Sequence, residues 1–379
     1  MYKVLHITNY YYPHIGGIET ATRDIVNVLK ATHNYEQKVI CFGDGATIID
    51  DVPIVRVHYH FKFRSQAISF RYRHILKVTL KTFQPDIVLI HTPNPLVEHY
   101  FNAMHYKGKV IVYHHLDIWR QKFLRHFVKP IEYKLKQRAD VILCHSQQYA
   151  MGSKELQHFK NKVKIIPLCY KEKDFVLTPE EKNAVNQIKK RYLGKTLLFF
   201  SGRHTKTKGL HLALKAVKNI KNVLFLVGRI GEVNRKLERK IDRAGPNVIY
   251  LGQLDRSQYI TYLHACDCYL FPSTSKNEAF PITLIEVIAL GKSPITFTIP
   301  GSGVNYISQG GETGIECPNK DVLAFRDAIN VLKSDKNLRI QYGKNGIARA
   351  KQLFNYRQFS ESFTTLFNQI CKKINKKLL

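Results

Sequence analysis

The chain has 379 residues, of which 44% are hydrophobic, 11% aromatic and 23% charged. It carries 59 Lys and Arg against 29 Asp and Glu, a formal net charge of +30. This length accommodates two domains, and the composition is that of a globular protein rather than a disordered or repetitive one. The charge excess indicates a polyanionic partner: nucleic acid, an anionic membrane surface or phosphorylated ligands.

Three features indicate a cytoplasmic protein. No apolar run approaches the roughly 18 to 20 residues that span a bilayer, and the first residues lack the basic and apolar regions of a signal peptide. The seven cysteines are scattered and odd in number, which predicts reduced thiols rather than a disulfide framework or a metal site.

Short β-branched runs alternate with helical patterns along the chain, which predicts parallel sheets with helices on both faces. The strands are expected at 4–8, 38–42, 87–91, 110–113, 141–145 and 164–167, and again at 197–201, 222–227, 248–251, 268–272 and 293–297. The helical patterns include 20–29, 68–80 and 210–217. A polar stretch, 171–194, separates the two series. We therefore predict two Rossmann-like domains, 1–170 and 171–356.

Two stretches concentrate the basic residues. Residues 62–81 hold six basic residues and no acidic one, and residues 120–138 hold seven basic residues and one acid, Glu132. In the second stretch an apolar stripe recurs every four positions: Phe123, Phe127, Ile131 and Leu135. This pattern predicts a helix, with a possible kink at Pro130. It fits a peripheral membrane helix and equally a packed helix with a solvated basic face.

The first loop of interest, 9–20, follows the first predicted strand and precedes a helix. Gly16 and Gly17 let backbone amides approach a ligand at the positive end of that helix. The loop has no GxGxxG, which argues against a dinucleotide oxidoreductase. A plain tight turn explains the two glycines equally well.

The second loop opens the second domain. A strand ends at Gly202-Arg203, and Lys206, Lys208 and Gly209 then lead into a helix. A guanidinium, an ammonium and a helix N-terminus together form a cradle for a diphosphate. The loop is not a Walker A motif, which requires GxxxxGK[ST]. The alternative is that these cations lie on a solvated surface.

The third loop, 273–279, leads into an apolar helix that ends at Gly291. Glu278 precedes this helix, and Glu286 lies within it. Burying a carboxylate costs several kcal/mol, of the order of 5, unless it is paired or hydrogen-bonded. Carboxylates at this edge of a sheet can accept hydrogen bonds from sugar or ribose hydroxyls. The alternative is that Glu286 caps nearby backbone or pairs with a cation.

Taken in chain order, these motifs resemble the GT4 family of retaining glycosyltransferases, which have the GT-B fold. The matching segments are Gly16-Gly17-Ile18-Glu19, Gly202-Arg203 with Lys208-Gly209, and Pro272-Ser273 with Glu278 and Glu286. The resemblance covers nearly the whole chain. It implies an α/β fold of two Rossmann-like domains facing across a cleft. It also implies an acceptor-binding domain, 1–170, a nucleotide-sugar-binding domain, 171–356, and a C-terminal helix, about 357–379, that packs back on the first domain.

The resemblance also implies roles for individual residues. Arg203 and Lys208 would bind the donor diphosphate, Glu278 the sugar hydroxyls and Glu286 the ribose. Further donor-binding positions would be Gly16, Gly17, Gly228, Leu251, Phe280, Pro281 and Ile282. The segment 113–122 is similar to the HSDI-type segment of bacterial members that make O-antigen, capsule or lipopolysaccharide. That similarity makes His115 the candidate active-site histidine, with His114 its alternative.

The chain departs from the family pattern at two places. The usual EGFG is replaced by Glu278-Ala279-Phe280-Pro281, and Pro281 lacks a backbone amide, which bears on the donor sugar. His204 and Thr205 replace the apolar residues common after the GR pair. GDP-mannose-type donors and UDP-sugars would use the same phosphate and ribose contacts, so both remain open.

The implied reaction is hexosyl transfer with retention, to a lipid-linked or glycan acceptor. Arg203, Lys208, Glu278 and His115 would be the catalytic group. No cofactor and no metal are expected, since the two cations would neutralise the leaving group and the chain has no DxD. We expect a cytoplasmic enzyme, peripheral on the inner face of the plasma membrane, with Lys122, Arg125 and Lys129 on its membrane or acceptor surface. The alternatives are a non-transferring GT-B enzyme such as an epimerase, and a nucleic-acid-binding protein, for which no motif is present.

Overall fold

A computed structural model describes residues 1–14, 16–63, 66–118, 122–231 and 234–375, with the side chains of residues 122–125 left out. Over these residues the chain forms two compact units. The first unit is Met1–Leu168 together with Arg357–Leu379, and the second is Cys169–Tyr356. None of the helices in the described part of the chain combines the length and apolarity needed to cross a bilayer.

The first unit is an α/β unit built mainly on one sheet. Its strands are β1 (Tyr2–Ile7), β2 (Tyr35–Phe42), β3 (Ile48–Ile49), β4 (Val52–Val57), β5 (Phe61–Phe63), β6 (Gln66–Ile68), β7 (Ile87–Thr92), β8 (Lys109–His114), β9 (Val141–Cys144) and β10 (Val163–Ile165). Its helices are α1 (Gly17–Ala31), α2 (Tyr72–Phe83), α3 (Pro95–Asn102), α4 (Lys122–Arg138) and α5 (Gln147–Gly152). The C-terminal α14 (Tyr356–Asn375) also belongs here almost entirely.

The sheet of the first unit has the order β10-β9-β8-β7-β1-β2-β4-β3. All neighbours are parallel except β3 and β4, which are antiparallel. Every residue of β7 is buried, as expected for a central parallel strand covered on both faces. The order reverses between β1 and β7. Ligands bind at such a switch point in doubly wound sheets.

The C-terminal helix α14 packs on the first unit. The Tyr2 hydroxyl donates to the Asn375 side-chain oxygen at 2.7 Å, and the Tyr35 hydroxyl to that of Asn368 at 3.2 Å. The ring of Phe367, fully buried, lies edge-on to that of Tyr35. The two ends of the chain therefore stabilise the same unit.

The second unit is a single parallel sheet with helices. Its strands are β11 (Thr196–Gly202), β12 (Val223–Arg229), β13 (Val248–Gln253), β14 (Cys268–Phe271), β15 (Ser293–Phe297) and β16 (Ile315–Cys317). Its helices are α6 (Pro179–Arg191), α7 (Leu210–Val217), α8 (Arg235–Asp242), α9 (Arg256–Ala265), α10 (Ile282–Ala289), α11 (Val304–Ile307), α12 (Val322–Ser334) and α13 (Lys336–Leu353). The order is β13-β12-β11-β14-β15-β16. Numbered within the unit this is the Rossmann order 3-2-1-4-5-6, with its switch point between β11 and β14.

Several predicted elements need correction at their ends. The helix predicted at 68–80 begins at Tyr72, because β5 and β6 pair as an antiparallel hairpin that uses the residues up to Ile68. The strands β3, β4 and β16 were not predicted, since two of them are only two or three residues long. In the linker, Thr178 and Glu181 form a reciprocal capping box at the start of α6.

Candidate active site

Two loops meet at the switch point of the second unit. The loop after β11 carries Arg203 and Lys208, and the loop after β14 carries Glu278. The Lys208 ammonium lies 2.9 Å from a Glu278 carboxylate oxygen, and both side chains are largely buried. The structure thus brings together two residues that are 70 positions apart in the sequence. Arg203, which lies on the same loop as Lys208, is exposed.

Backbone packing holds these two loops together. The Thr274 amide donates to the Thr207 carbonyl at 3.0 Å. Gly209 adopts φ +69°, and a Cβ there would lie 1.7 Å from the Pro272 carbonyl oxygen. Only glycine fits at this position, for reasons of both conformation and space. The Lys208-Gly209 pair therefore has a structural explanation. Glycine allows the two loops to approach closely, and this approach places Lys208 against Glu278.

Glu286 lies on α10 with 8% of its surface exposed. The Arg256 guanidinium donates to one of its oxygens at 3.0 Å, and the buried Tyr259 hydroxyl donates to the other at 2.7 Å. This answers how the apolar helix accommodates a carboxylate: two donors on α9 compensate its burial. Sequence reasoning missed Arg256 and Tyr259, since nothing in the sequence pairs α9 with α10.

The loop between Glu278 and α10 is rigidly held. The Gly303 amide donates to the Ala279 carbonyl at 2.9 Å, and a Cβ at Gly303 would lie 2.2 Å from the same oxygen. The buried Phe280 ring packs against those of Tyr306 and Phe354. Pro281 is the N-cap residue of α10, and Ile282, partly buried, is its first residue. The segment Glu278-Ala279-Phe280-Pro281, which replaces the usual EGFG, is therefore held in place by its packing contacts.

The other positions predicted to flank the nucleoside lie on the neighbouring strands. Gly228 is in β12, where a Cβ would lie 2.3 Å from the Leu254 side chain. Leu251, on β13, is partly buried. His204, one of the two departures from the family pattern after Gly202-Arg203, is 2% exposed and lies near the rings of Phe200 and Tyr250. Burial lowers the pKa of His204, so it serves as a neutral core residue.

In the first unit, Gly16 and Gly17 follow β1 at the switch point. Gly16 is the extended N-cap residue of α1, and Gly17 is the first residue of this helix. A Cβ on Gly16 would lie 2.3 Å from the Glu19 carboxylate, whereas a Cβ on Gly17 would meet nothing within 4 Å. The open side at Gly17 leaves room for a ligand group at the helix N-terminus.

His115 follows β8 and is 4% exposed. Its Nε2 lies 2.9 Å from Nδ1 of His91, and its Nδ1 lies 3.0 Å from Nε2 of His145. Burial and the neighbouring histidines hold the pKa of His115 well below its ordinary value, so the ring is neutral. The alternative residue, His114, bonds instead to the Asp117 carboxylate at 2.9 Å.

A buried charged cluster lies next to Asp117 in the first unit. Lys136 is 1% exposed, and its ammonium lies 2.9 Å from Glu155. Burial raises the pKa of Glu132 to about 9 and also raises that of Glu98. Lys136 is therefore not part of a solvated basic face, because Glu132 and Lys136 share the inward face of α4 at a spacing of four.

The same region contains the one group of potential metal ligands found among the described residues. Ligand atoms of His114, Asp117 and Glu155 lie within 4.8 Å of one another. Asp117 already accepts hydrogen bonds from His114 and from the Ser153 hydroxyl, and Glu155 pairs with Lys136. The Lys136 ammonium therefore supplies the positive charge of this cluster.

The predicted membrane surface falls partly outside the described residues: nothing is described for the side chains of Lys122 and Arg125. Lys129 is exposed. In the apolar stripe, Phe127 is 66% exposed whereas Leu135 is fully buried. The stripe therefore turns from surface to core along α4, and Pro130 lies inside this helix.

Comparison with known proteins agrees with this arrangement. Residues 181–349 match the family described as "Glycosyl transferases group 1", and residues 15–170 match "Glycosyltransferase Family 4". The chain is 31% identical to the D-rhamnosyltransferase WbpZ of Pseudomonas aeruginosa, over 72% of this chain and 70% of that protein. It is 25% identical to the O-antigen chain mannosyltransferase C of Escherichia coli, over 97% of this chain and 98% of that protein.

Among solved structures, HepE of Anabaena in complex with UDP and glucose has a TM-score of 0.79 at 16% identity, covering 97% of this chain and all of that one. The chain thus belongs to the family 4, group 1 glycosyltransferases, as its motifs predict. The predicted fold class, GT-B with two Rossmann-like domains, is likewise confirmed.

Proposed function

We propose that this chain is a retaining transferase that moves a hexose from a nucleotide-sugar, of the GDP-mannose or UDP-sugar type, to a membrane-associated glycolipid or polysaccharide acceptor in cell-surface glycan synthesis. The observation that carries the proposal is the pairing of Lys208 with Glu278 at the switch point of the second unit. The names of the relatives, an O-antigen mannosyltransferase and a rhamnosyltransferase, support a cell-surface glycan.

In this proposal the donor diphosphate lies beside Arg203 and Lys208. Breaking the bond between sugar and phosphate leaves negative charge on the nucleoside diphosphate, and two fixed cations stabilise that charge as it builds. The same two cations make a metal unnecessary. Glu278, held by Lys208, accepts hydrogen bonds from sugar hydroxyls. Attack of the acceptor on the same face that the diphosphate leaves accounts for retention.

Glu286 binds the ribose in this scheme. Each carboxylate oxygen has two lone pairs, and Arg256 and Tyr259 occupy one on each oxygen. The remaining lone pairs can accept from the two ribose hydroxyls. The carboxylate is oriented before the nucleotide arrives, so little rotamer entropy is lost on binding.

Membrane attachment is the second part of the proposal. Exposed aromatic rings stand among basic residues in the stretch 62–81, with Phe63 52% and Phe70 73% exposed. Lys62, Arg73 and Lys77 are exposed in the same stretch. The helix α3 packs against both α2 and α4, so the second basic stretch, with its exposed Phe127, flanks the same helix. Aromatic rings between cations favour an anionic lipid surface, which supports the proposal that the enzyme is peripheral on the inner face of the plasma membrane.

The reaction is tested by incubating the purified chain with a panel of UDP- and GDP-sugars and measuring release of nucleoside diphosphate. Lys208→Met and Glu286→Gln are expected to reduce the rate by about 100-fold or more while the chain stays folded, as checked by circular dichroism. Lys215→Met, an exposed lysine on α7, is the matched control. Full activity in either site variant would refute the site, and an inverted anomeric centre in the product, read by proton NMR, would refute retention.

A further inference from the structure

Three buried histidines form a continuous hydrogen-bonded row at the carboxyl ends of β7, β8 and β9. His91, His115 and His145 are each at most 4% exposed. The row continues from Nδ1 of His145 to the Tyr113 hydroxyl, at 3.1 Å, and from this hydroxyl to the Ile166 carbonyl, at 3.3 Å. Each imidazole uses one ring nitrogen toward each neighbour.

The end of the row at Ile166 sets the direction of its hydrogen bonds. The Tyr113 hydroxyl donates to the Ile166 carbonyl, which can only accept. This hydroxyl has one proton, so at its 3.1 Å contact with Nδ1 of His145 it accepts. Since Nε2 of His145 faces His115, the nitrogen of His145 that carries the proton is Nδ1.

This assignment determines the tautomers along the whole row. All three rings are neutral, because burial holds the pKa of each well below the ordinary value for histidine. A neutral imidazole has one N–H and one lone pair. If Nε2 of His145 is an acceptor, Nδ1 of His115 must be the donor to it. Nε2 of His115 is then an acceptor, and Nδ1 of His91 donates to it.

At the opposite end of the row, the contacts of His91 do not favour the opposite direction of the hydrogen bonds. His91 meets the Thr22 hydroxyl at 3.3 Å from each of its ring nitrogens, while that hydroxyl donates to the Ile18 carbonyl at 2.8 Å. A contact equally distant from both nitrogens favours neither tautomer. At the Ile166 end the row stops at a backbone carbonyl, which cannot take up a proton. The row therefore orients rings and does not conduct protons.

We propose that His91 and His145 are positioning residues, which hold His115 as its Nδ1–H tautomer with the Nε2 lone pair as its acceptor side. The inference rests on the proposed function, because the family resemblance makes His115 the candidate active-site histidine of such a transferase. Both ring nitrogens of His115 are then bonded within the row. With its one N–H directed at His145 and its ring neutral, His115 does not act as a general acid.

The two positions offer a reciprocal test. The amide of asparagine reaches as far from Cβ as Nδ1 of histidine, whereas that of glutamine reaches about as far as Nε2. His91 contacts His115 through Nδ1, so His91→Asn should retain activity and His91→Gln should lose it. His145 contacts His115 through Nε2, so His145→Gln should retain activity and His145→Asn should lose it. The expected loss is about 10- to 100-fold in kcat, with little change in the KM for the donor.

His6 provides the matched control. It is a fully buried neutral histidine on the adjacent strand β1, and it bonds to Gln37 at 3.0 Å rather than to the row. Its variant His6→Gln should keep the kcat of the parent. Equal losses for Asn and Gln at both positions, or the same loss at His6, would overturn the positioning role, since packing alone would then explain the effect.

Imidazole nitrogen NMR on the histidine-labelled chain tests the tautomer without reference to activity. The expected result is an Nδ1–H on His115, assigned from the spectrum of His115→Asn. An Nε2–H on His115 would overturn the inference. If the Nδ1–H is found but His115→Asn transfers sugar at the parental rate, His115 has no role in the reaction. The positioning role of His91 and His145 then fails as well. The assignment of Lys208 and Glu286 is not affected by this result.

Discussion

The substitution Glu132→Gln tests the buried cluster on α4 quantitatively. Glu132 is 2% exposed and lies near the Lys136–Glu155 pair. Burial raises the pKa of its carboxyl from 4.5 to about 9, against the lowering effect of the Lys136 ammonium. The side chain is therefore protonated in the folded chain at neutral pH and ionised in the unfolded chain.

The sign of the effect follows from this difference. A carboxyl whose pKa is raised by folding stabilises the fold fully below pH 4.5, and this stability is lost as the pH rises toward about 9. One pKa unit corresponds to about 1.4 kcal/mol. Between about pH 5 and pH 7.5 the parent chain should lose up to about 3 kcal/mol from this group, while glutamine, which does not titrate, loses none.

The assay is equilibrium urea denaturation of both chains at about pH 5 and pH 7.5. Glu132→Gln should gain up to about 3 kcal/mol over the parent at the higher pH relative to the lower one. Glu361→Gln, which removes a carboxylate that is 61% exposed, is the matched control. If Glu132→Gln differs from the parent by the same amount at both pH values, the carboxyl is ionised in the fold and the reasoning is wrong.

Three further predictions concern the loops, Glu286 and the surface. Gly209→Ala should lower the free energy of unfolding by at least about 2 kcal/mol, because its Cβ would strike the Pro272 carbonyl; Gly17→Ala should not, and equal stability of the two variants would contradict this packing. Tyr259→Phe should weaken UDP or GDP binding about tenfold in calorimetry, because it removes the 2.7 Å bond that orients Glu286; unchanged affinity would separate Glu286 from the nucleotide. Reversing the charges of Lys122, Arg125 and Lys129 should abolish flotation with anionic liposomes. Reversing the charges of three exposed lysines of the second unit, Lys336, Lys344 and Lys351, should not. Equal flotation of the two variants would refute the membrane surface.

The strands were predictable because each central one is a run of apolar, often β-branched residues. The strand expected at 293–297 has the observed ends, and that at 87–91 is one residue short. Elements whose stability comes from a neighbour were not predictable in this way. The hairpin of β5 and β6 exists through pairing between its strands, three residues each, and no periodicity marks it.

The candidate site shows the same division. The sequence by itself places Arg203, Lys208 and Glu278 in loops after strands, since glycine, proline and turn residues mark where each strand ends. Tertiary structure alone pairs Lys208 with Glu278 and supplies Glu286 with its donors from α9.

Burial separates most clearly what the sequence determined from what only the tertiary structure decided. Sequence alone determined two α/β domains, the family and the loops that carry its motifs, because these depend on local patterns of residues. Only the folded chain shows that Lys136 is buried against Glu155 and that His115 lies between two other histidines. A charge or a ring nitrogen takes its partner from whichever element packs against it, and that partner lies 19 or more residues away in each of these cases.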